Sequence, residues 1–393
     1  MRYFLLIIGF SLCQNSFAQK LKPVGEYKKR ADEMFEKVWK LYRVPAHPGL
    51  FSEHYPAGEK VDLDYFQGAG VKEKEVSFLW PFSGMFSAAN VLIRHQEFRS
   101  RYQKYLDTLA IGIWKYRDTT RTPIGYQAYP ASLEPSDRYY DDNGLVCIDY
   151  AEAYLNTSNP EFIRKGKEVF EFIIGGWDEN LGGGVYWLEG HKDQKPACSN
   201  GMATLSALKL YQATGENKYL EWGKRFYKWM HSRMRNPDGI YFNDVKMDGK
   251  PNPTYYTYNT GAMLESAMLL YKFTREASYF KEAQLVAKNS LRFFSKQEPG
   301  VRRFNVDLPW FLTVLFRGYE SLYHIDKNPE YIKAILIDLD RAWENAADRN
   351  GLLSAKWATN QNALRKPKWL LDEACIAELY ARASLLNLAK KSK

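Results

Sequence analysis

Apolar residues recur along the chain at helical spacing, and short polar turns separate the apolar stretches. Spacings of i, i+3, i+4 and i+7 are typical of helices with one or more buried faces. The pattern predicts twelve helices, at 27–43, 84–96, 98–116, 142–156, 160–174, 199–213, 217–234, 260–273, 277–294, 307–324, 329–346 and 370–388. Strand-like patterns are confined to GGGVYW at 182–187 and DGIYFNDV at 238–245, which predict short hairpins in loops.

A repeat of about sixty residues runs through most of the chain. Four segments resemble one another: AYLNTSNPEFIRKG, LYQATGENKYLEWG, LYKFTREASYFKEA and LYHIDKNPEYIKAI. Each ends one predicted helix, crosses a polar turn and begins the next helix with an aromatic residue, at Phe162, Tyr219, Tyr279 or Tyr331. A weaker copy has Phe98 in the same position. The repeating unit is therefore a helical hairpin.

The number of helices predicts a closed ring. Twelve helices make six hairpins if the last helix pairs with the first, and six hairpins of roughly sixty residues account for the whole length. An open solenoid is the alternative, but it needs polar capping repeats at both ends, and the sequence has none. We therefore expect an all-α (α/α)6 toroid, in a single domain covering residues 19–393.

The first residues have the pattern of a secretory signal peptide. Arg2 precedes an apolar run at 4–12, and small residues lie at the −3 and −1 positions of a cleavage site after Ala18. A membrane anchor needs about 20 apolar residues, so the run is too short. Cys13 raises a lipoprotein alternative, which the bulky residue before it disfavours. We expect a secreted protein, periplasmic or extracellular, without stable membrane insertion.

Composition limits the function further. The 28 Tyr, 22 Phe and 11 Trp exceed what a core of this size needs, which favours an aromatic binding surface. The net charge is +9, but Lys and Arg are interleaved with acids, and this pattern does not favour nucleic acid. After export the chain keeps Cys147, Cys198 and Cys375, with no CxxC or HExxH motif. We expect neither a disulfide framework nor a metal, although a single disulfide stays open.

The loops that lead into inner helices of a toroid open at one end of the ring. They are rich in Trp, Tyr, Asn and Asp, which suit stacking on sugar rings and hydrogen bonding to hydroxyl groups. These loops are LWPFSG at 79–84, RYYDDNG at 138–144, KPACSNG at 195–201, YYTYNTG at 255–261, NVDLPW at 305–310 and PKWLLDE at 367–373. The sequence thus predicts a carbohydrate site where they converge.

Asp141 and Asp142 are the strongest candidates for chemistry. Carboxylates at a helix start commonly cap the helix, and that role is the alternative. Adjacent Cα atoms lie about 3.8 Å apart, so the two carboxyl groups can reach the roughly 5 Å separation of a retaining glycosidase. Ionisation of one raises the pKa of the other. The pair can therefore supply one nucleophile and one proton donor.

The motifs YYDDNG, GGGVYW, CSNG after Lys-Pro, and YTYNTG occur in an order and spacing similar to glycoside hydrolase family 76. That family comprises endo-α-1,6-mannanases with an (α/α)6 barrel, and the resemblance covers roughly residues 80–375. It implies that Asp141 is the nucleophile, Asp142 is the general acid/base and no metal or cofactor is needed. It also implies α-mannan or manno-oligosaccharides as substrate. Leu145 and Thr260 depart from the Trp and Gln that members often have.

Eight further residues of these loops and helix starts are candidates for substrate binding. Each has a structural alternative, which is packing for an aromatic ring and helix capping for an Asn or Asp. The candidates are Trp80, Tyr140, Trp187, Asn200, Tyr258, Asn259, Asp307 and Trp310. Glu373 is expected only to line the rim.

Three other functions fit the same fold. An unsaturated-glucuronyl-hydrolase-like enzyme would use two acids on separate helices. Asp141 and Asp307 could form such a pair. A sugar epimerase would need histidines on inner helices, where His95 and His324 lie only at the far ends. A secreted glycan-binding protein would keep the aromatic mouth without turnover, but it has no use for two adjacent acids that repel each other. We expect a monomer whose partner is its sugar substrate.

Overall fold

The computed structural model describes residues 21–58, 61–66, 70–299 and 301–388. The predicted signal peptide at 1–18, with Cys13, lies outside these residues. The described chain forms thirteen α-helices. They are α1 (Val24–Leu41), α2 (Leu79–Leu92), α3 (Arg99–Trp114), α4 (Tyr140–Thr157), α5 (Pro160–Gly175), α6 (Ala197–Thr214), α7 (Asn217–Arg233), α8 (Thr257–Thr274), α9 (Ala277–Phe294), α10 (Pro309–Asp326), α11 (Glu330–Asn345), α12 (Gln361–Arg365) and α13 (Leu370–Ser384).

Short strands pair in the loops between helices. The strands are β1 (His54–Tyr55), β2 (Arg117–Asp118), β3 (Gly125–Tyr126), β4 (Gln194–Pro196), β5 (Asp244–Lys246), β6 (Ser295–Glu298), β7 (Val301–Phe304) and β8 (Lys368–Trp369). They form the antiparallel pairs β1–β8, β2–β3, β4–β5 and β6–β7. The β4–β5 pair joins the loops before α6 and α8, so it ties together two neighbouring parts of the ring.

Six inner helices close the ring. In chain order α2, α4, α6, α8, α10 and α13 pack each against the next, and α13 also packs against α2. The outer helix α1 packs against α13, so the first helix completes the last hairpin. The predicted (α/α)6 toroid, including the pairing of the last helix with the first, is confirmed. None of the helices in the described ranges is long and apolar enough to cross a membrane.

Burial distinguishes the inner helices from the outer ones. Every residue of α8 from Thr257 to Leu270 is buried, because this helix has neighbours on all sides. In the outer helix α9 the buried residues follow one stripe at spacings of three and four: Ala283, Val286, Ala287, Ser290, Leu291 and Phe294. A helix that is apolar around its whole circumference thus packs inside the ring, and an amphipathic one covers it.

The sequence repeat corresponds to one recurring turn. Four inner helices end at a residue in the left-handed region, which lets the chain reverse into the outer helix. These residues are Ser158, Gly215, Arg275 and Lys327, with φ angles of 58°, 71°, 64° and 59°. Each donates its backbone N–H to a tyrosine carbonyl one turn earlier, on Tyr154, Tyr211, Tyr271 and Tyr323. These tyrosines are the shared Tyr of the four repeated segments.

Most predicted helix boundaries agree with the structure to within three residues. The largest difference is at α2, which begins at Leu79 and not at residue 84. Pro81 lies in its first turn, where a missing N–H breaks no helical hydrogen bond. The predicted hairpins at 182–187 and 238–245 are less regular, because Val185 makes only an isolated bridge and Asp244–Lys246 pairs with β4.

Candidate active site

The N-terminal ends of the inner helices surround a cavity of about 560 Å³, at the end of the ring where the sequence predicts the mouth. Its aromatic lining consists of Tyr65, Phe66, Phe78, Trp80, Tyr139, Trp187, Tyr256, Tyr258, Trp310 and Phe311. Its acidic lining consists of Asp64, Asp141, Asp142, Asp244 and Asp307. Lys246 and Lys356 also reach it. Aromatic faces and hydrogen-bonding carboxylates therefore meet in one concave site.

Asp141 and Asp142 lie in the first turn of α4, and both are partly exposed to the cavity. Trp187 Nε1 donates to Asp141 Oδ2 at 3.2 Å. Burial raises the pKa of Asp141, while hydrogen bonding from the thiol of Cys198 and the indole of Trp187 opposes that rise. For Asp142, burial and the negative charge of Asp141 hold the pKa well above its usual range. Asp141 is thus the better stabilised carboxylate, and Asp142 retains its proton more strongly.

A buried ammonium group stabilises the loop that carries Trp187. Lys195 is fully buried, and its Nζ donates to Asp178 Oδ1 at 2.7 Å and to the carbonyls of Asn180 and Gly183 at 2.8 and 2.7 Å. Gly183 adopts a φ of 126°, and a side chain there would collide with the ring of Trp177. A side chain on Gly184 would likewise collide with Trp229, so these two glycines allow the tight packing that fixes the backbone before Trp187.

Asn200 also holds this loop, and its predicted contact with substrate needs correction. Its Oδ1 accepts the N–H of Val185 at 2.8 Å, and its Nδ2 donates to the carbonyls of Val185 and Pro196 at 2.9 and 2.8 Å. The side chain is fully buried and lies outside the cavity lining. Because the backbone takes up its hydrogen-bonding groups, Asn200 is a structural residue.

The same device recurs at the fourth residue of three other inner helices. Asn143 accepts the N–H of Tyr126 at 2.7 Å, and Thr260 accepts that of Tyr241 at 3.3 Å. Glu373 is fully buried and accepts the N–H of Leu353 at 3.0 Å, so the expectation that it lines the rim is wrong. Thr260, one of the departures from the family pattern, thus bonds a loop backbone and lies outside the cavity lining.

Tyr140 and Asn259 also lie outside the cavity lining. Tyr140 stacks on Phe172 of α5, with ring centroids 4.9 Å apart and planes 14° apart, so it faces the outer ring of helices. Asn259 is fully buried, and its amide atoms have no hydrogen-bond partner among the described residues. Neither side chain is therefore placed to contact a substrate in the cavity, contrary to the expectation from the sequence.

The structure does bring the other aromatic candidates together. Trp80 lies in the centre of a group of rings and meets Tyr65, Trp310 and Trp369 edge to face, with centroids 5.2, 5.3 and 5.3 Å away. Tyr258 belongs to the same group, and its ring centroid lies 6.0 Å from that of Trp310. Tyr65, Trp80, Tyr258 and Trp310 form one wall of the cavity, and Trp369 packs behind it.

A buried carboxyl group organises this wall. Glu53 is fully buried and accepts hydrogen bonds from Trp369 Nε1 at 2.6 Å, from the hydroxyl of Tyr65 at 2.9 Å and from the N–H of Phe78 at 2.9 Å. The loop before α2 is thereby fixed against β8. Tyr65 and Phe66 also line the cavity but were not predicted as site residues. Their only signal in the sequence was their aromatic character in the loop before α2.

Asp244 is an acid of the site that the sequence analysis also missed. It is 2% exposed, and its Oδ2 accepts hydrogen bonds from Asn243 Nδ2 at 3.0 Å and Asn252 Nδ2 at 2.7 Å. Its Oδ1 has no hydrogen-bond partner within the described ranges, although Lys246 Nζ lies 3.4 Å away. The available signal was an Asn-Asp pair at the end of a strand-like segment.

Asp307 lies in the loop before α10 and contacts the neighbouring inner helix α8. It lines the cavity, and its carboxyl group accepts from the N–H and the hydroxyl of Thr257, both at 2.9 Å, at the first residue of α8. Leu145, the other departure from the family pattern, lies one turn after Asp141 and also lines the cavity. Asp307 does not cap its own helix as predicted, because α10 begins at Pro309 with Leu308 as its N-cap and without a side-chain cap. Its carboxyl group binds the start of α8 instead.

The epimerase alternative lacks its histidine. His95 forms a hydrogen bond of 2.9 Å with Ser384 Oγ at the far end of the ring, and no histidine belongs to the cavity lining among the described residues. Among all residues that the structure describes, no group of three or more His, Cys, Asp or Glu side chains is arranged to hold a metal ion. Cys147, Cys198 and Cys375 are free thiols.

Known proteins share this fold and parts of this sequence. A glycoside hydrolase family 76 mannosidase of Bacteroides thetaiotaomicron superposes with a TM-score of 0.80 and 26% identity, over 92% of this chain and 98% of that one. An inactive variant of the α-1,6-mannanase GH76A of Salegentibacter sp. HEL1_6, in complex with α-1,6-mannotriose, gives a TM-score of 0.72 at 20% identity, over 91% and 99% of the two chains. The second likeness concerns the fold alone.

A curated relative is mannan endo-1,6-alpha-mannosidase DCW1 of Saccharomyces cerevisiae, 29% identical over 145 residues, which are 33% of this chain and 32% of the relative. The chain thus spans about a third of the length of the curated relatives that match it first. The family model for glycosyl hydrolase family 76 matches residues 27–389. Because that match covers most of the chain, the protein belongs to glycoside hydrolase family 76.

Proposed function

We propose that the protein is a retaining hydrolase of α-1,6-mannosidic linkages in mannan or manno-oligosaccharides, with Asp141 as nucleophile and Asp142 as general acid/base. The observation that carries this proposal is the unequal surroundings of the two adjacent carboxyl groups. Asp141 accepts a hydrogen bond from Trp187, whereas burial and the charge of Asp141 raise the pKa of Asp142. One acid is thereby favoured as carboxylate and the other as proton donor.

In the first step a carboxylate oxygen of Asp141 attacks the anomeric carbon while Asp142 gives its proton to the leaving glycosidic oxygen. The bond between the anomeric carbon and that oxygen breaks, and a mannosyl ester of Asp141 forms. In the second step Asp142 takes a proton from water, the water oxygen attacks the anomeric carbon and Asp141 leaves. Two inversions give net retention.

The remaining lining supports a sugar substrate. The rings around Trp80 present apolar faces for pyranose stacking, and the carboxylates of the lining are the groups that hydrogen-bond sugar hydroxyls. Relatives named as mannan endo-1,6-α-mannosidases, and a structural neighbour in complex with α-1,6-mannotriose, support the linkage. Asp141 and Asp307 both line the cavity, as the glucuronyl-hydrolase alternative requires, but the carboxyl group of Asp307 is occupied by hydrogen bonds from Thr257. Export through the predicted signal peptide and a monomeric state remain predictions.

The test is product release from unbranched α-1,6-mannan by the protein without residues 1–18. We expect Asp141→Asn and Asp142→Asn each to lower kcat by about a thousandfold or more. Asp137→Asn is the matched control, because Asp137 is exposed in the same loop and lies outside the cavity lining. Circular dichroism establishes that the variants fold. Product sizes distinguish endo from exo cleavage. NMR of the product, taken before the anomers interconvert, shows whether the anomeric configuration is retained.

Two outcomes would overturn the proposal. Release of the inverted anomer would exclude Asp141 as a nucleophile. Polymer binding without release of sugar would favour the glycan-binding alternative. The roles of the two acids separate on an aryl α-1,6-mannobioside, because a good leaving group needs little protonation. We expect Asp142→Asn, but not Asp141→Asn, to release the phenol in a rapid first turnover.

A further inference from the structure

Three aromatic rings form an exposed ledge beside the mouth of the cavity. The ring centroid of Tyr255 lies 5.3 Å from that of Phe242 and 5.1 Å from that of Phe293. Phe293, at the end of α9, is 50% exposed, and the other two residues are half-buried. Single exposed apolar residues are common on protein surfaces, whereas contiguous ones usually mark a binding site. Phe242, Tyr255 and Phe293 together make up this ledge.

The ledge is continuous with the cavity through the backbone. Phe242 and Tyr255 form an antiparallel bridge, and the residue that follows each of them, Asn243 or Tyr256, lines the cavity. Side chains alternate between the two faces of extended chain. The two segments therefore make a thin wall with the cavity on one side and the ledge on the other.

We infer that the ledge binds the part of an α-1,6-linked mannan chain that extends out of the cavity. This inference rests on the proposed function, which it deepens by naming the polymer as the form of substrate that the enzyme recognises best. A chain that crosses the wall at Asn243 and Tyr256 next meets the ring of Tyr255 and then that of Phe293. Aromatic faces stack on the C–H faces of pyranose rings, and the hydroxyl groups of the sugar stay in water.

The test compares two substrates, the polymer and α-1,6-mannotetraose. We expect Phe293→Ala to lower kcat/KM about three- to tenfold on the polymer, through KM, and to leave the value on the tetrasaccharide unchanged. Phe293→Trp should retain or improve activity on the polymer. Leu285→Ala is the matched control, because Leu285 is 40% exposed on the same helix, roughly 12 Å away along its axis.

Equal losses on the two substrates, or a Phe293→Ala variant that behaves like Leu285→Ala, would overturn the inference. Affinity electrophoresis in gels that contain the polymer separates this outcome from failure of the proposed function. If the protein shows no hydrolysis but binds the polymer, weaker binding by Phe293→Ala supports the ledge while the catalytic proposal fails. Equal mobility of the variant and the parent protein overturns the ledge.

Discussion

Trp187 Nε1 donates a hydrogen bond of 3.2 Å to Oδ2 of Asp141, and it does so from a loop whose backbone is bound to a neighbouring inner helix. The bond favours the ionised form of the proposed nucleophile. Its other oxygen, Oδ1, has no hydrogen-bond partner in the described chain. The pair of acids therefore depends on a residue that lies forty-six positions away in sequence.

Replacing Trp187 by Phe removes the donor and keeps an aromatic ring. The pKa of Asp141 should rise, so the acidic limb of kcat/KM against pH should move to higher pH and kcat/KM near neutrality should fall about tenfold. The control is Trp229→Phe, because Trp229 Nε1 donates to the carbonyl of Leu181 in the same loop at 3.2 Å. An acidic limb that stays in place in the Trp187 variant, or moves equally in both, would contradict the assignment.

Removing the charge of Asp141 should change the titration of Asp142. The negative charge of Asp141 contributes to the raised pKa of Asp142, so Asp141→Asn should lower that pKa. The measurement is the carboxyl ¹³C chemical shift of Asp142 against pH in protein with labelled aspartate. If Asp142 is the general acid, we expect the basic limb of the pH profile of the unmodified protein to lie above the usual carboxyl range. An unchanged titration of Asp142 would show that burial alone sets its pKa.

The fold could be predicted from the sequence because its signals are local. The left-handed turns after Tyr154, Tyr211, Tyr271 and Tyr323 repeat the same polar segment, and helical periodicity gives the rest. At the closure of the ring α13 is buried on nearly all sides, because it packs against α1, α2 and α10. The pattern missed α12, because a helix of five residues is too short to show helical periodicity, and its one local signal is the capping side chain of Asn360.

The site was predicted less completely, because the angular position of a residue in the first helical turn decides what it faces. Asp141 and Leu145, one turn apart, both line the cavity. Asn143 lies two residues after Asp141, about 200° around the helix, and it bonds a loop. Asn200 has the same relation to Cys198 in α6. Composition identified the loops, but only this angle separates the residues that face the cavity from those that hold the loops.

Lys195 should be essential for the loop that carries Trp187. Replacing it by Met leaves Asp178 and two carbonyl groups without their buried partner, so we expect a loss of about 3–5 kcal/mol in the free energy of unfolding. Lys192 offers a matched control, because it pairs with the same Asp178 at 3.3 Å while its side chain is 66% exposed. Lys192→Met should cost no more than about 1 kcal/mol. Urea unfolding measures both values, and similar losses in the two variants would refute the role of Lys195.

A second polar cluster lies in the centre of the ring, toward the other end of the inner helices. Asp149 is 2% exposed there, among side chains that include Glu152, Lys209 and Arg317. Its Oδ1 accepts from the hydroxyl of Ser87 at 2.7 Å, and its Oδ2 has no hydrogen-bond partner in the described residues. Burial raises the pKa of Asp149 to about 8.

This proton makes stability depend on pH in a defined direction. Between about pH 4 and pH 8 the unfolded chain has released the proton that the native state still holds, so stability falls as pH rises through that range. Asp149→Asn removes this contribution. We expect it to leave Tm nearly unchanged near pH 4 and to raise it by several degrees near pH 8, which corresponds to a gain on the order of a few kcal/mol. Calorimetry across this pH range provides the measurement, with Asp137→Asn as the exposed control. A gain that does not grow with pH would show that Asp149 is ionised in the native state.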